Sequence, residues 1–137
     1  MIRKEKFMRT TIMMSVKPLL LGNSAKSLKI AFSLFLRYSL SSYIFVKDIP
    51  FFYRFIPFVS CLRLSESSDD RFVFMSIEHF TREYGEATYL LIPCTEKYRN
   101  FVDSNREILE NKFIIRFPDE ILNSSELFPI TANGKDL

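Results

Sequence analysis

The sequence predicts a Rossmann-like, doubly wound α/β domain, with a mainly parallel five-stranded sheet and helices on both faces, and three observations carry this expectation. Short continuous apolar runs, Pro18 to Gly22 and Thr88 to Ile92 among them, suit strands that are covered on both sides. Between the runs lie longer segments with apolar residues at helical spacing. The two kinds alternate in the order β-α-β-(loop)-β-α-β-α-β, which right-handed crossovers wind into a sheet with helices on both faces.

The first strand is Pro18-Leu19-Leu20-Leu21-Gly22. Asn23 or Ser24 then offers an N-cap, because a short polar side chain can take a free helix N–H. In the helix that follows, Leu28, Ala31, Phe32 and Phe35 form the inner stripe, opposite Lys26, Lys29, Ser33 and Arg37. Ser42 to Val46 is β-branched and aromatic, hence a second strand. Asp48 to Pro57, with two prolines and four aromatics, reads as a loop or a short irregular helix, and Phe58 to Leu62 as a third strand.

Ser65 to Asp70 is a loop whose aspartates, Asp69 and Asp70, favour a helix start, where carboxylates meet the positive end of the dipole. Phe72, Val73, Ser76, Ile77, Phe80 and Tyr84 line that helix, and Gly85 stops it. Thr88 to Ile92 is the fourth strand, ended by Pro93. Thr95 caps a helix lined by Tyr98, Phe101, Val102, Asn105, Ile108 and Leu109, with Asn111 as its stop. Phe113 to Ile115 is a fifth strand, and Pro118 to Leu122 opens a short helix. Strand 18–22 is expected at the centre, paired with 42–46 and 89–92.

At 137 residues the chain suits one domain and buries a core without disulfides or metals. Fifteen Phe and no Trp make that core largely phenyl rings. Three Gly all but rule out a glycine-rich phosphate loop. The net charge of +3 is too mild for a nucleic-acid binder. Arg3, Lys4, Lys6 and Arg9 read as a solvated terminus, making 1–16 a basic, flexible segment, 17–130 the domain and 131–137 a tail. Lys17 and Pro18 interrupt any apolar leader from Thr11 to Leu21, and charges divide Leu28 to Val59 into pieces too short for a transmembrane span. The expected location is the cytoplasm. Cys61 and Cys94 allow a single disulfide by count, but two thiols in a reducing compartment are the preferred reading.

Chemistry is expected at the carboxyl ends of the strands, near the reversal of strand order. Those ends carry Gly22, Asn23 and Ser24 at one strand and Cys94, Thr95 and Glu96 at another, and these six are the candidate substrate-binding residues. A helix N-terminus holds an anion through its free N–H groups, although a plain strand-to-helix turn would place the same residues there. His79 falls mid-helix, so Cys94 has no obvious base and no catalytic residue or metal ligand is assigned. The paired carboxylates at 69/70 and 119/120 are explained by helix starts. Glu78 and Arg82 form a helical ion pair, and Phe51, Phe52, Tyr53, Phe55 and Phe58 form a cluster suited to a core, a domain interface or, with Arg54, a membrane surface.

Two stretches carry a resemblance. Pro18-Leu19-Leu20-Leu21-Gly22-Asn23-Ser24, with Ala31, Phe32 and Phe35 after it, is one; Tyr89-Leu90-Leu91-Ile92-Pro93-Cys94-Thr95-Glu96-Lys97-Tyr98, with Asn105, Leu109, Phe113 and Pro118 to Leu122 after it, is the other. Over about Pro18 to Pro129 the chain resembles the N-terminal, pre-ATP-grasp domain of ATP-grasp carboxylate–amine ligases, D-aspartate ligase among them. The resemblance implies a substrate-side domain that works against an ATP-grasp domain or a separate subunit. In the family a lysine-bearing segment after the last short helix opens the ATP-binding part; here Ile130 to Leu137 closes the sequence. ATP and magnesium are therefore expected only with a further ATP-grasp region, and this chain alone is expected to be inactive. A non-catalytic interaction or remnant domain without ligand is the alternative. The apolar residues of 121–130 are expected to fold back or to mediate self-association.

Overall fold

The computed structural model of the chain describes residues 16–64 and 69–123. The basic N-terminal cluster, most of the 121–130 segment and the 131–137 tail lie outside them. Strands β1 (Val16–Leu21), β2 (Ser42–Val46), β3 (Val59–Arg63), β4 (Thr88–Pro93) and β5 (Phe113–Ile115) form one sheet, ordered β3-β2-β1-β4-β5. Every neighbouring pair is parallel, with Leu19 level with Tyr43 on one side and Leu91 on the other. The fold is thus Rossmann-like, with β1 central between β2 and β4 as the apolar runs implied.

Alternation along β1 sends its side chains into two separate cores. Leu20 faces α1 (Ala25–Tyr38), a 3-10 helix (Phe51–Phe55) and α5 (Pro118–Asn123), packing with Ile30, Leu34, Ile44, Tyr53, Ile92 and Ile121. Leu19 and Leu21 face α2 (Asp70–Tyr84), α3 (Glu96–Ser104) and α4 (Arg106–Leu109), packing with Phe45, Ile77, Phe80, Phe101 and Val102. The three β1 leucines are fully buried, as a strand covered on both faces requires.

Helix ends follow their sequence signals. Asp69 accepts from the Arg71 N–H at 3.2 Å, and Gly85, at φ 73°, closes α2. The Phe117 N–H donates to Glu120 Oε1 at 2.8 Å, which starts α5 at Pro118. Ile121 is buried against α1 and Leu122 is exposed, so of the 121–130 surface only the first residue is seen folded back.

Three expectations need correction. Helix α1 buries Ser27, Ile30, Ala31 and Leu34; Phe32 and Phe35, expected inside, are 50% and 40% exposed. Its apolar residues cover more than half the circumference, so two stripes compete, and the slimmer side chains lie closest to the sheet. In α2, likewise, Phe72 and Tyr84 are exposed while Val73, Ile77, Phe80 and Thr81 are buried. The single helix expected after Thr95 is broken at Asn105, whose side-chain amide donates to the Phe101 carbonyl at 2.9 Å and competes with the helix ladder. Ile108 is consequently exposed rather than inward.

Both cysteines are free thiols. Cys61 on β3 and Cys94 beyond β4 are separated by β2 and β1, three inter-strand steps or roughly 14 Å, whereas a disulfide spans at most about 7 Å between Cα atoms. Among the described residues no helix is long and apolar enough to cross a membrane.

Candidate functional site

The strand order reverses between β1 and β4, and their carboxyl ends bring the two predicted turns side by side. The Cys94 N–H donates to the Leu21 carbonyl at 2.9 Å, extending the ladder one step past the strands. Gly22 then turns with φ +96°. A Cβ there would meet Thr95 Cγ2 at 2.8 Å and Tyr98 Cδ2 at 2.9 Å, so the first helix turn after β4 sits directly on the glycine.

Ser24 is the N-cap of α1. Its hydroxyl oxygen accepts from the Lys26 N–H at 3.2 Å and its proton is donated to the Cys94 carbonyl at 3.0 Å. Ser27 returns the cap, accepting from the Ser24 N–H at 2.9 Å and donating to the Gly22 carbonyl at 3.0 Å. Thr95 is the N-cap of α3, accepting from the Tyr98 N–H at 3.4 Å. Two helix N-termini therefore open at the same place.

Between them lies a cleft of about 600 Å³. Of the six candidates, Ser24, Cys94, Thr95 and Glu96 line it, together with Lys26, Arg99 and Pro118, which sequence reasoning did not single out. Gly22 is buried beneath the turn rather than in the wall, and Asn23 points aside, where its side-chain oxygen accepts from the Tyr53 hydroxyl of the 3-10 helix. The Lys26 ammonium stands 3.5 Å from Asp119 of α5, with both groups largely exposed. The Arg99 guanidinium lies 4.6 Å from the centre of the Phe117 ring. One signal was available for both cations: Lys26 is two residues past one N-cap, and Arg99 is four past the other, on the same side of its helix.

Cys94 is held as a thiol. Burial pushes its pKa from the ordinary 9.0 up to about 11, against smaller opposing effects of Ser27 and Lys26, and its Sγ lies 3.7 Å from the Ile92 carbonyl. A protonated, enclosed thiol is no nucleophile at neutral pH. His79 is exposed on α2, beside Glu83 at 3.3 Å, on the other side of the sheet from Cys94. Among the described residues no group of three His, Cys, Asp or Glu side chains could hold a metal ion. What the arrangement offers is binding: two helix N-termini and two cations for an anion, and the Glu96 carboxylate for an adjacent cation.

A second hollow of about 650 Å³ lies at the opposite edge, between the end of α2 and the start of β4. There the Tyr89 hydroxyl is engaged with the Thr81 and Gly85 carbonyls, and the adjoining helix end is a C-terminus. The cleft at the carboxyl ends is the better site on both counts.

No protein-family model matches the chain, and no curated protein or solved structure matches it.

Proposed function

We propose that this chain is the substrate-side N-terminal domain of an ATP-dependent carboxylate–amine ligase of the ATP-grasp kind, and that the cleft between Ser24 and Thr95 receives an amino-acid substrate. The observation that carries this reading is the meeting of two capped helix N-termini at the β1/β4 reversal, with Lys26 and Arg99 in the same cleft. The helix ends and the two cations suit a carboxylate, and Glu96 suits the neighbouring ammonium group. Ser24 acts as a positioning residue, because its hydroxyl is engaged with Lys26 and Cys94.

The residues present do not fit a magnesium–ATP site. The cleft is lined by one carboxylate, Glu96, Asp119 beside it is paired with Lys26, and there is no glycine-rich loop. ATP and magnesium belong, in this reading, to an ATP-grasp domain or subunit that closes over the cleft, and the isolated chain does not ligate. In this reading the domain works in the cytoplasm.

Titration of the full chain with acidic and neutral amino acids, followed by amide NMR, tests the proposal. The expected result is a saturable shift of the Ala25, Lys26, Glu96 and Lys97 N–H signals by amino acids, absent with the matching amines that lack the carboxylate. Lys26→Ala and Arg99→Ala should each weaken binding by about tenfold, as loss of a charge-assisted hydrogen bond does. A spectrum that responds to no carboxylate would leave a non-catalytic interaction domain as the reading.

A further inference from the structure

Five consecutive residues, Phe51-Phe52-Tyr53-Arg54-Phe55, make the 3-10 helix. Tyr53 turns inward, 3% exposed, and its hydroxyl donates to Asn23. That anchor forces the other rings out: Phe51, Phe52 and Phe55 are 67%, 55% and 70% exposed. On the same side of the sheet, Phe58, three residues past Phe55, stacks on Phe35 at 4.9 Å and approaches Phe32 at 5.8 Å. Leu36, on the outer side of α1, is 63% exposed. A concentration of large apolar side chains like this is unusual on a free surface.

The segment that carries the patch is one-sided in charge. From Ala25 to Phe58 it holds five cations, Lys26, Lys29, Arg37, Lys47 and Arg54, against the single carboxylate of Asp48, and of these Lys26 is offset by Asp119 of α5. The Arg54 guanidinium lies 4.9 Å from the Phe51 ring centre, so charge and apolar surface are interleaved. A second copy of this chain would set the same cations against one another. The complementary partner is apolar and anionic, and the three phenyl rings are more than half exposed.

We propose that this side of the molecule rests on an anionic lipid surface, with Phe51, Phe52 and Phe55 entering the interface and Arg54 beside them meeting the headgroups. Phenyl rings below and long basic side chains above are the chemistry of an interfacial segment. The domain lies on the bilayer and does not span it.

The test is sedimentation of the full chain with vesicles of phosphatidylcholine alone and of phosphatidylcholine with phosphatidylserine. The expected result is binding to the anionic vesicles, weakened by salt and reduced about fivefold by Arg54→Gln. Phe51→Ser combined with Phe55→Ser should abolish it. Both side chains are exposed, so the double variant should keep the circular dichroism spectrum and melting temperature of the parent, which is to be checked on the same sample. Equal binding to both vesicle types, or by the double variant, would overturn the proposal. So would a chain that ignores vesicles and instead sediments as a dimer that the double variant dissociates.

Discussion

The Ser24 hydroxyl donates a 3.0 Å hydrogen bond to the Cys94 carbonyl, across seventy residues of sequence. This bond joins the start of α1 to the end of β4, so one side chain both caps a helix and closes the gap at the strand-order reversal. The shape of the candidate cleft depends on it.

Removing that hydroxyl should therefore cost more than an ordinary cap. Ser24→Ala loses the acceptor for the Lys26 N–H and leaves the Cys94 carbonyl without its donor. A destabilisation of about 2 kcal/mol is expected, at the upper end of N-cap losses. Urea unfolding of both proteins measures it, and a loss below about 0.5 kcal/mol would contradict the bridging role.

The two left-handed glycines separate backbone strain from crowding. Both Gly22 and Gly85 have positive φ, but a Cβ on Gly85 meets nothing within 4 Å, whereas on Gly22 it runs into Thr95 and Tyr98. Gly85→Ala should cost about 1–2 kcal/mol from strain alone. Gly22→Ala should cost about 1–3 kcal/mol more, since Thr95 and Tyr98 must move. Equal melting-temperature losses would show that the turn relaxes freely.

Alkaline stability should report the buried thiol. In the folded chain Cys94 ionises only near pH 11, while in the unfolded chain it does so near its ordinary 9.0. Above pH 9 the folded state then holds more protons than the unfolded one, so stability falls as pH rises towards 11. Burial raises Cys61 and the tyrosines Tyr43, Tyr53, Tyr89 and Tyr98 in the same sense, adding to the fall. Cys94→Ala should show a shallower decline between pH 9 and 11 than the parent; identical slopes in urea titrations at several pH values would refute the assignment.

Phenylalanines of the same composition should behave in opposite ways. Phe80 is 4% exposed and touches the rings of Tyr43, Phe45, Tyr84 and Tyr89. Phe80→Ala should cost about 3–5 kcal/mol. Phe52→Ala, at a residue 55% exposed, should stay within about 0.5 kcal/mol. Comparable losses in chemical denaturation would mean that the 3-10 helix is bound more tightly into the domain than its exposure indicates.

Much of the architecture was legible in the sequence. The leucines of Pro18 to Gly22 and the run from Thr88 to Ile92 have no polar alternation, which suits only strands covered on both faces, and this marked them as the interior of a parallel sheet. Asn23 or Ser24, Asp69 with Asp70, and Thr95 marked helix starts because their short oxygens compete for free N–H groups, and Ser24, Asp69 and Thr95 are the caps. Four of the six candidate residues line one cleft for the same reason: in such sheets the strand ends at the reversal meet.

The sequence by itself thus determined the fold class, the central place of β1 and the turns that meet at its end, because those depend on local hydrophobic period and capping chemistry. Only the tertiary structure decided which of the competing stripes of α1 faces the sheet, that Asn23 is claimed by Tyr53, and that Lys26 and Arg99 share a cleft. The physical reason is that fifteen phenylalanines look alike along the chain, and burial is assigned by how closely each side chain fits against its neighbours in space. Period tells a helix that it has an apolar side; where two sides are apolar, packing chooses between them.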